Sequence, residues 1–117
     1  KGGMVTSVYP VVSGYDVRDA AVENLAIDGN KAENAHLNGC RGGGVFLLHS
    51  KSVTLRGLTV RDFNGDGISF QQCTDMLVED CTTEGNTGFG MHPGSGSTRG
   101  VMRRLTIRNN GSAASMP

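Results

Sequence analysis

Two short segments carry the side chains that could do chemistry. The first reads DFNGDGI and spans residues 62–68, setting Asp66 between two glycines with Asp62 and Asn64 just before it. A carboxylate there could act as a general acid or base, or ligate a cation. Asn, Gly and Asp are also what a tight turn requires, which is the structural alternative. The second segment, residues 88–97, reads GFGMHPGSGS and places His92 before Pro93. A Gly/Ser loop lets backbone approach a ligand closely, with His92 as base or hydrogen-bond donor; the alternative is a solvated loop histidine. Arg41, beside Gly42, could grip a carboxylate through two parallel hydrogen bonds or pair locally. His49, Ser69 and Gln71 are further polar candidates for holding a substrate, and His36 is less informative.

These residues are far apart along the chain, so elements must bring them together, and a repeat supplies them. Val53, Leu55, Leu58 and Val60 recur as Met76, Val78, Cys81 and Thr83, a step of 23 residues. Upstream the pattern is Ala20, Val22, Leu25, Ile27; downstream it is Gly100, Met102, Leu105, Ile107. A second apolar piece lies between copies: Gly44-Val45-Phe46-Leu47, Gly67-Ile68-Ser69-Phe70 and Gly88-Phe89-Gly90-Met91. The final positions of the first piece, Ile27, Val60, Thr83 and Ile107, are spaced by 33, 23 and 24. The longest step is the same unit carrying extra residues in one loop, Lys31 to Arg41. A recurring unit of this size signals a solenoid.

Each unit holds three short runs rich in Val, Ile, Leu, Thr and Phe, punctuated by Gly, Asn and Asp, with no sustained 3.6-residue period. Two residues separate inward positions at Glu23-Asn24, Arg56-Gly57, Glu79-Asp80 and Arg103-Arg104, which breaks strand alternation and demands a bend. The fold class expected is all-β: a right-handed parallel β-helix of about four to five rungs with three short sheets. Residues 1–117 then form a single β-helix domain, with 1–19 an end strand region and 28–43 a long inserted loop. The first run of strands is expected at Val5 to Val12, broken by Pro10. Sheet one is expected at 44–48, 67–71 and 88–92. Sheet two takes 20–23, 53–56, 76–79 and 101–103, and sheet three 25–27, 58–60, 81–83 and 105–107. The interior columns would be Val45/Ile68/Phe89, Leu47/Phe70/Met91, Val22/Leu55/Val78/Met102 and Leu25/Leu58/Cys81/Leu105. A leucine-rich horseshoe would need the L-x-x-L-x-L-x-x-N signature, which is missing. With the interior filled, function falls on outer faces and loops, where Arg41, Asp62, Asn64, Asp66, Gln71, His49 and His92 could line one surface.

Composition excludes several classes. Net charge is zero, which argues against nucleic acid as a partner. No apolar stretch approaches the roughly 18–20 residues of a membrane span. The 18 glycines fall at repeat junctions, so they mean turns and not disorder. Of the three cysteines, Cys81 takes an inward position while Cys40 and Cys73 lie in turns; free structural thiols are expected, and no C-x-x-C spacing offers a metal site. The run E-G-N-T-G-F-G has no helix after it and is no dinucleotide fingerprint. Arg99, Arg103 and Arg104 read as a solvated face. The chain begins at Lys1 without Met and stops at Pro117 just after a repeat strand, so a piece of a longer solenoid is expected, and open end rungs invite self-association.

Three segments carry a family resemblance: V-x-x-L-x-I-D-G-N from Val22, VTLRGLTVRDFNGDGISF from Val53, and GFGMHPGSGS from Gly88. Together they resemble the pectate-lyase-like superfamily of right-handed β-helices over about Val17 to Asn110. That superfamily is mostly secreted enzymes acting on polysaccharides, with phage tailspikes and surface adhesins besides. Asn64, Asp66, Gly67 and Ile68 are similar to the first motif of its polygalacturonase-type hydrolases. The aspartate pair of the next rung is replaced by Asn86 and Thr87, so the two-carboxylate hydrolytic mechanism lacks its parts. Superfamily lyases typically use calcium, carboxylates and an arginine or lysine base; Asp62, Asp66, Glu84 and Arg41 or Arg61 could supply these. The GFGMHP segment is loosely similar to the G-x-D-P-H region of alginate epimerases. The resemblance thus implies a secreted, carbohydrate-active protein that binds or cleaves an extended polysaccharide, lyase or epimerase before hydrolase. Asp66 and His92 would be acid/base groups and Arg41 a carboxylate grip, with Asn64, Gln71, His49, Asp62 and Ser69 touching the polymer. Calcium is the one cation implied. The alternative is a non-catalytic glycan-binding or structural module of a surface protein.

Overall fold

The computed structural model describes residues 10–34 and 43–111. The alternating runs form twelve short strands among them: β1 (Val12–Tyr15), β2 (Arg18–Glu23), β3 (Ala26–Asp28), β4 (Val45–Leu48), β5 (Lys51–Arg56), β6 (Thr59–Arg61), β7 (Ile68–Gln71), β8 (Leu77–Glu79), β9 (Thr82–Glu84), β10 (Met91–Pro93), β11 (Val101–Arg103) and β12 (Thr106–Arg108). They assemble into three four-stranded parallel sheets. Sheet one runs β1-β4-β7-β10, sheet two β2-β5-β8-β11 and sheet three β3-β6-β9-β12. Each consecutive trio is one rung, so the chain climbs four rungs of a parallel β-helix. A 3₁₀ turn at Lys31–Glu33 lies in the long loop from the first rung to the second. Among the described residues no helix is long and apolar enough to cross a membrane.

The bends fall where the broken alternation puts them. Asn24, Gly57, Asp80 and Arg104 occupy one column, all with left-handed φ between 53° and 69°. The turn keeps Leu55 and Val78 inward on one side of it and Leu58 and Cys81 inward on the other. The interior is a single cluster of side chains, mostly from the second and third rungs with Ile27 from the first, including Val45, Leu47, Val53, Leu55, Leu58, Val60, Ile68, Phe70, Met76 and Val78. Full burial of residues such as Leu55, Ile68 or Phe70 contributes roughly 1.5–3 kcal/mol each. The end rungs are less covered: Leu25 in the first, and Val101, Met102 and Ile107 in the fourth, stay exposed.

Three expectations need correction. Sheet three lies one residue later than expected, because the inward residues Leu58 and Cys81 belong to the bend and the strands start after them. Sheet one has a different register in its last rung. Met91 pairs with Ile68 and His92 with Ser69, so the interior column is Val45/Ile68/Met91 and Phe89 points outward, 51% exposed. By this register the equivalent of Gly67 is Gly90 and not Gly88, and a Cβ on Gly90 would sit 2.5 Å from both Thr83 Oγ1 and Asn110 Nδ2. Cys73 lies in a turn but aims inward, fully buried, with Sγ near the Leu47 and Gln71 carbonyls. Burial holds the Cys73 and Cys81 thiols above their usual pKa, as expected of inert core cysteines. The first strand of sheet one is Val12–Tyr15; most of the Val5–Val12 run lies outside the described residues, as do His36, Cys40 and Arg41.

Candidate functional site

The outer face of sheet one is a grid read off the register. One outward column runs Ser13, Phe46, Ser69, His92, and its neighbour runs Tyr15, Leu48, Gln71. Adjacent strands lie about 4.8 Å apart, so four of them present a strip roughly 14 Å across.

At one end of the strip is a carboxylate–imidazole pair. Asp66 ends the loop into β7 and is 1% exposed. Its side chain reaches along the helix axis to the next rung. There Oδ1 accepts the Phe89 backbone N–H at 2.9 Å, and Oδ2 lies 2.8 Å from His92 Nδ1. A carboxylate only accepts, so Nδ1 carries a proton, and in the neutral ring Nε2 is the nitrogen that keeps its lone pair. The His92 side chain is about one-third exposed. The exposed Phe89 ring packs tilted against the imidazole, centroids 5.1 Å apart. Gly88 makes room for this arrangement: a Cβ there would lie 2.3 Å from Asp66 Oδ1.

At the other end, Ser13, Gly14, Tyr15, Phe46 and Leu48 line an open groove of about 420 Å³. Tyr15 is 66% exposed and packs against the exposed His49, centroids 5.8 Å apart. His49 holds a left-handed φ of 56° at the corner leaving sheet one.

The remaining candidates divide. Gln71 is half-buried on the outer face. Ser69 belongs to that face, but it is 1% exposed and its Oγ has no hydrogen-bond partner, so the expected contact with a polymer is not available to it as folded. It sits between two larger outward residues, Phe46 and His92. Ser, His and Asp together suggest a nucleophilic triad, yet without a Ser69–His92 hydrogen bond or solvent access the nucleophile is missing. Asn64, half-buried, donates to the Lys31 and Asn34 carbonyls at 2.9 and 2.7 Å and so pins the long loop. Asp62 holds a left-handed turn with its carboxylate against Gly85. Arg41 lies outside the described residues.

Calcium does not fit this carboxylate set. Among the described residues no three His, Cys, Asp or Glu side chains gather as a metal site needs. Asp66 is tied to His92, Glu84 to Arg108 at 2.7 Å, and Arg61 to Asp28 at 3.2 Å on sheet three. The arginines expected as a solvated face are likewise paired: Arg99 with Asp75, Arg103 with Glu79, Arg104 with Glu79 and Asp80.

Sequence reading missed Phe89, Gly88 and Tyr15. The signal for the first two was the constant step: 23 residues, already set by the flanking pieces, aligns Asp66 with Phe89 and Gly65 with Gly88.

No curated protein and no solved structure matches the chain. A family model described as a right-handed β-helix region matches residues 11–116. With the parallel rungs, the bend column and the filled interior, that match places this chain in the right-handed β-helix family.

Proposed function

We propose that the outer face of sheet one binds an extended polysaccharide, and that His92 is the base for proton abstraction at a uronic-acid unit, as in a lyase or epimerase. The observation that carries this is the Asp66–His92 pair: a buried carboxylate holding Nδ1 while the ring edge faces solvent on the same strip as an aromatic-lined groove. Asp66 is then a positioning residue, since its own oxygens are closed to solvent and committed. Tyr15 and Phe89 offer exposed ring faces to the apolar side of a sugar, and the polar groups between them set orientation.

In the lyase form, Nε2 takes the proton from the carbon next to the uronate carboxylate. The electron pair left behind forms a carbon–carbon double bond as the glycosidic oxygen on the adjacent carbon departs and is protonated. In the epimerase form, a proton returns to the opposite face and no bond to oxygen breaks. General base catalysis of this kind contributes roughly 10²–10⁴-fold.

The apolar groove favours a second reading, in which the face binds glycan without turnover. Incubation with a panel of uronate polysaccharides, following the ultraviolet absorbance of unsaturated products and the proton exchange of intact ones, separates the cases. Turnover that His92→Ala abolishes, with binding kept in affinity electrophoresis, supports catalysis. Binding without turnover leaves the module reading. Neither binding nor turnover sinks both.

A further inference from the structure

The two ends of the helix are complementary to each other. Side chains along the outside form columns that alternate in charge from rung to rung. On sheet two the column is Glu23, Arg56, Glu79, Arg103; on sheet three it is Asp28, Arg61, Glu84, Arg108. Arg56 binds both Glu23 and Glu79, and Arg103 binds Glu79 at 2.7 Å. At the corner before sheet two, Arg99 pairs with Asp75, and the first-rung residue of that column is Asp19. Every one of these columns begins with a carboxylate and ends with an arginine.

The end rungs are therefore opposite in charge. Residues 10–34 hold five carboxylates against Arg18 and Lys31, whereas residues 88–111 hold four arginines and no carboxylate. The interior columns match as well. Met102 lies in the column of Val22, and Ile107 in the column of Ile27, with Met102 and Ile107 exposed on the fourth rung and Leu25 on the first. Among the described residues the outer strands β10, β11 and β12 each have one neighbour, as do β1, β2 and β3.

We propose that copies of this chain stack head to tail, the fourth rung of one on the first rung of the next, continuing all three parallel sheets. Arg103 would then meet Glu23 of the next copy and Arg108 its Asp28, the next step in each alternating column, and Arg99 its Asp19, which returns the corner column Asp19, Ser52, Asp75, Arg99 to its first carboxylate. Stacking of like ends would set carboxylates on carboxylates or arginines on arginines. Backbone pairing and apolar cover would supply most of the affinity, and the charges its polarity. Such a contact is heterologous and does not close, so it grows into a filament.

Light scattering of the full 117-residue chain over a wide concentration range tests this. The mass should climb past twice the 12.3 kDa of one copy without a plateau, and fall as salt screens the ends. Ile107→Lys and Leu25→Lys each place a charge on one exposed end without breaking an ion pair, and circular dichroism checks that both fold. Each variant alone should stay monomeric. Mixed, they should give a one-to-one dimer and nothing larger, because one intact first rung and one intact fourth rung remain. A wild type that stays at 12.3 kDa, one that stops at a dimer, or a mixture that stays monomeric overturns the proposal.

Discussion

Asp66 and Asn86 are both buried polar residues in the loops that enter sheet one, and they use their burial differently. Asn86, fully buried, commits every atom to structure. Its Oδ1 accepts the Phe63 N–H at 3.0 Å, and its Nδ2 donates to the Val60 carbonyl and to Asn110 Oδ1. Asn110 repeats the move one rung on, donating to the Thr83 carbonyl and accepting the Asn86 N–H. This is a ladder that holds corners together. Asp66 gives one oxygen to the Phe89 N–H in the same spirit, but its second oxygen goes to a side chain that is part exposed. A buried polar group that satisfies only backbone and its own kind is explained by folding. One that orients a solvent-facing imidazole does more than fold, and that difference is why the proposed site centres on Asp66 and His92 even though Asn86 occupies the rung where the resemblance expects carboxylates.

The comparison breaks most sharply by exchanging the two losses. Asp66→Asn keeps the shape but can no longer fix the His92 tautomer. Turnover of any uronate substrate should fall by roughly 10²–10⁴, with the unfolding midpoint nearly unchanged. Asn86→Ala leaves the buried Phe63 N–H without its acceptor and takes one of the donors from the Val60 carbonyl, and should cost about 2 kcal/mol of stability, read from urea unfolding. If Asn86→Ala spares stability, or Asp66→Asn is the one that unfolds the chain, the distinction between them is wrong.

Much of this arrangement was legible in the chain, and the part that was not has a physical cause. The columns Val22/Leu55/Val78/Met102 and the bends at Asn24, Gly57, Asp80 and Arg104 follow from local alternation, which any stacked rung must obey. The Asp66–His92 contact depends on register between rungs, across 26 residues. In residues 88–90 two glycines flank Phe89, and both are tightly crowded in the fold, so the glycine pattern alone does not say which of them repeats Gly67. Choosing Gly88 shifts the rung by two residues, which preserves inward–outward parity for His92 but buries Phe89 and opposes His92 to Gln71 in place of Ser69. Parity was thus readable from the glycine pattern, and the partner only from the 23-residue step. The ion-pair columns were readable in principle, since the steps of 23 and 24 align Glu79 with Arg56 and Arg103.

Glu79 sharpens the comparison from a third side, being a 4%-exposed carboxylate whose partners are all arginines at the surface. Hydrogen bonds from Arg56 and then Arg103 hold it below its ordinary pKa of 4.5. The unfolded chain therefore binds more protons in acid, and the stabilisation is complete above about pH 4.5 and fades as pH falls through the lower folded value. Glu79→Gln should flatten the acid side of a plot of melting temperature against pH and converge with wild type at the lowest pH. Some slope remains in the variant, because Asp75 and Asp80 are also held low by their arginines, and Asp28 by the Asn30 backbone N–H and then by Arg61. Parallel curves would mean that Glu79 is held by packing alone.

The smallest effect is expected where a buried polar atom has no partner. Thr83 takes the interior position held by Ile27, Val60 and Ile107 in the other rungs, it is 1% exposed, and its Oγ1 makes no hydrogen bond. Its backbone carbonyl accepts from Asn110, so only the hydroxyl is out of place. Valine has nearly the same shape, keeps the β-branch that suits a strand, and removes the desolvated hydroxyl. Thr83→Val should raise stability by about 1 kcal/mol in urea unfolding, with turnover unaltered. A loss of stability would mean that the hydroxyl is satisfied in solution, and that Thr83 belongs with Asn86 and not with the apolar columns it stands in.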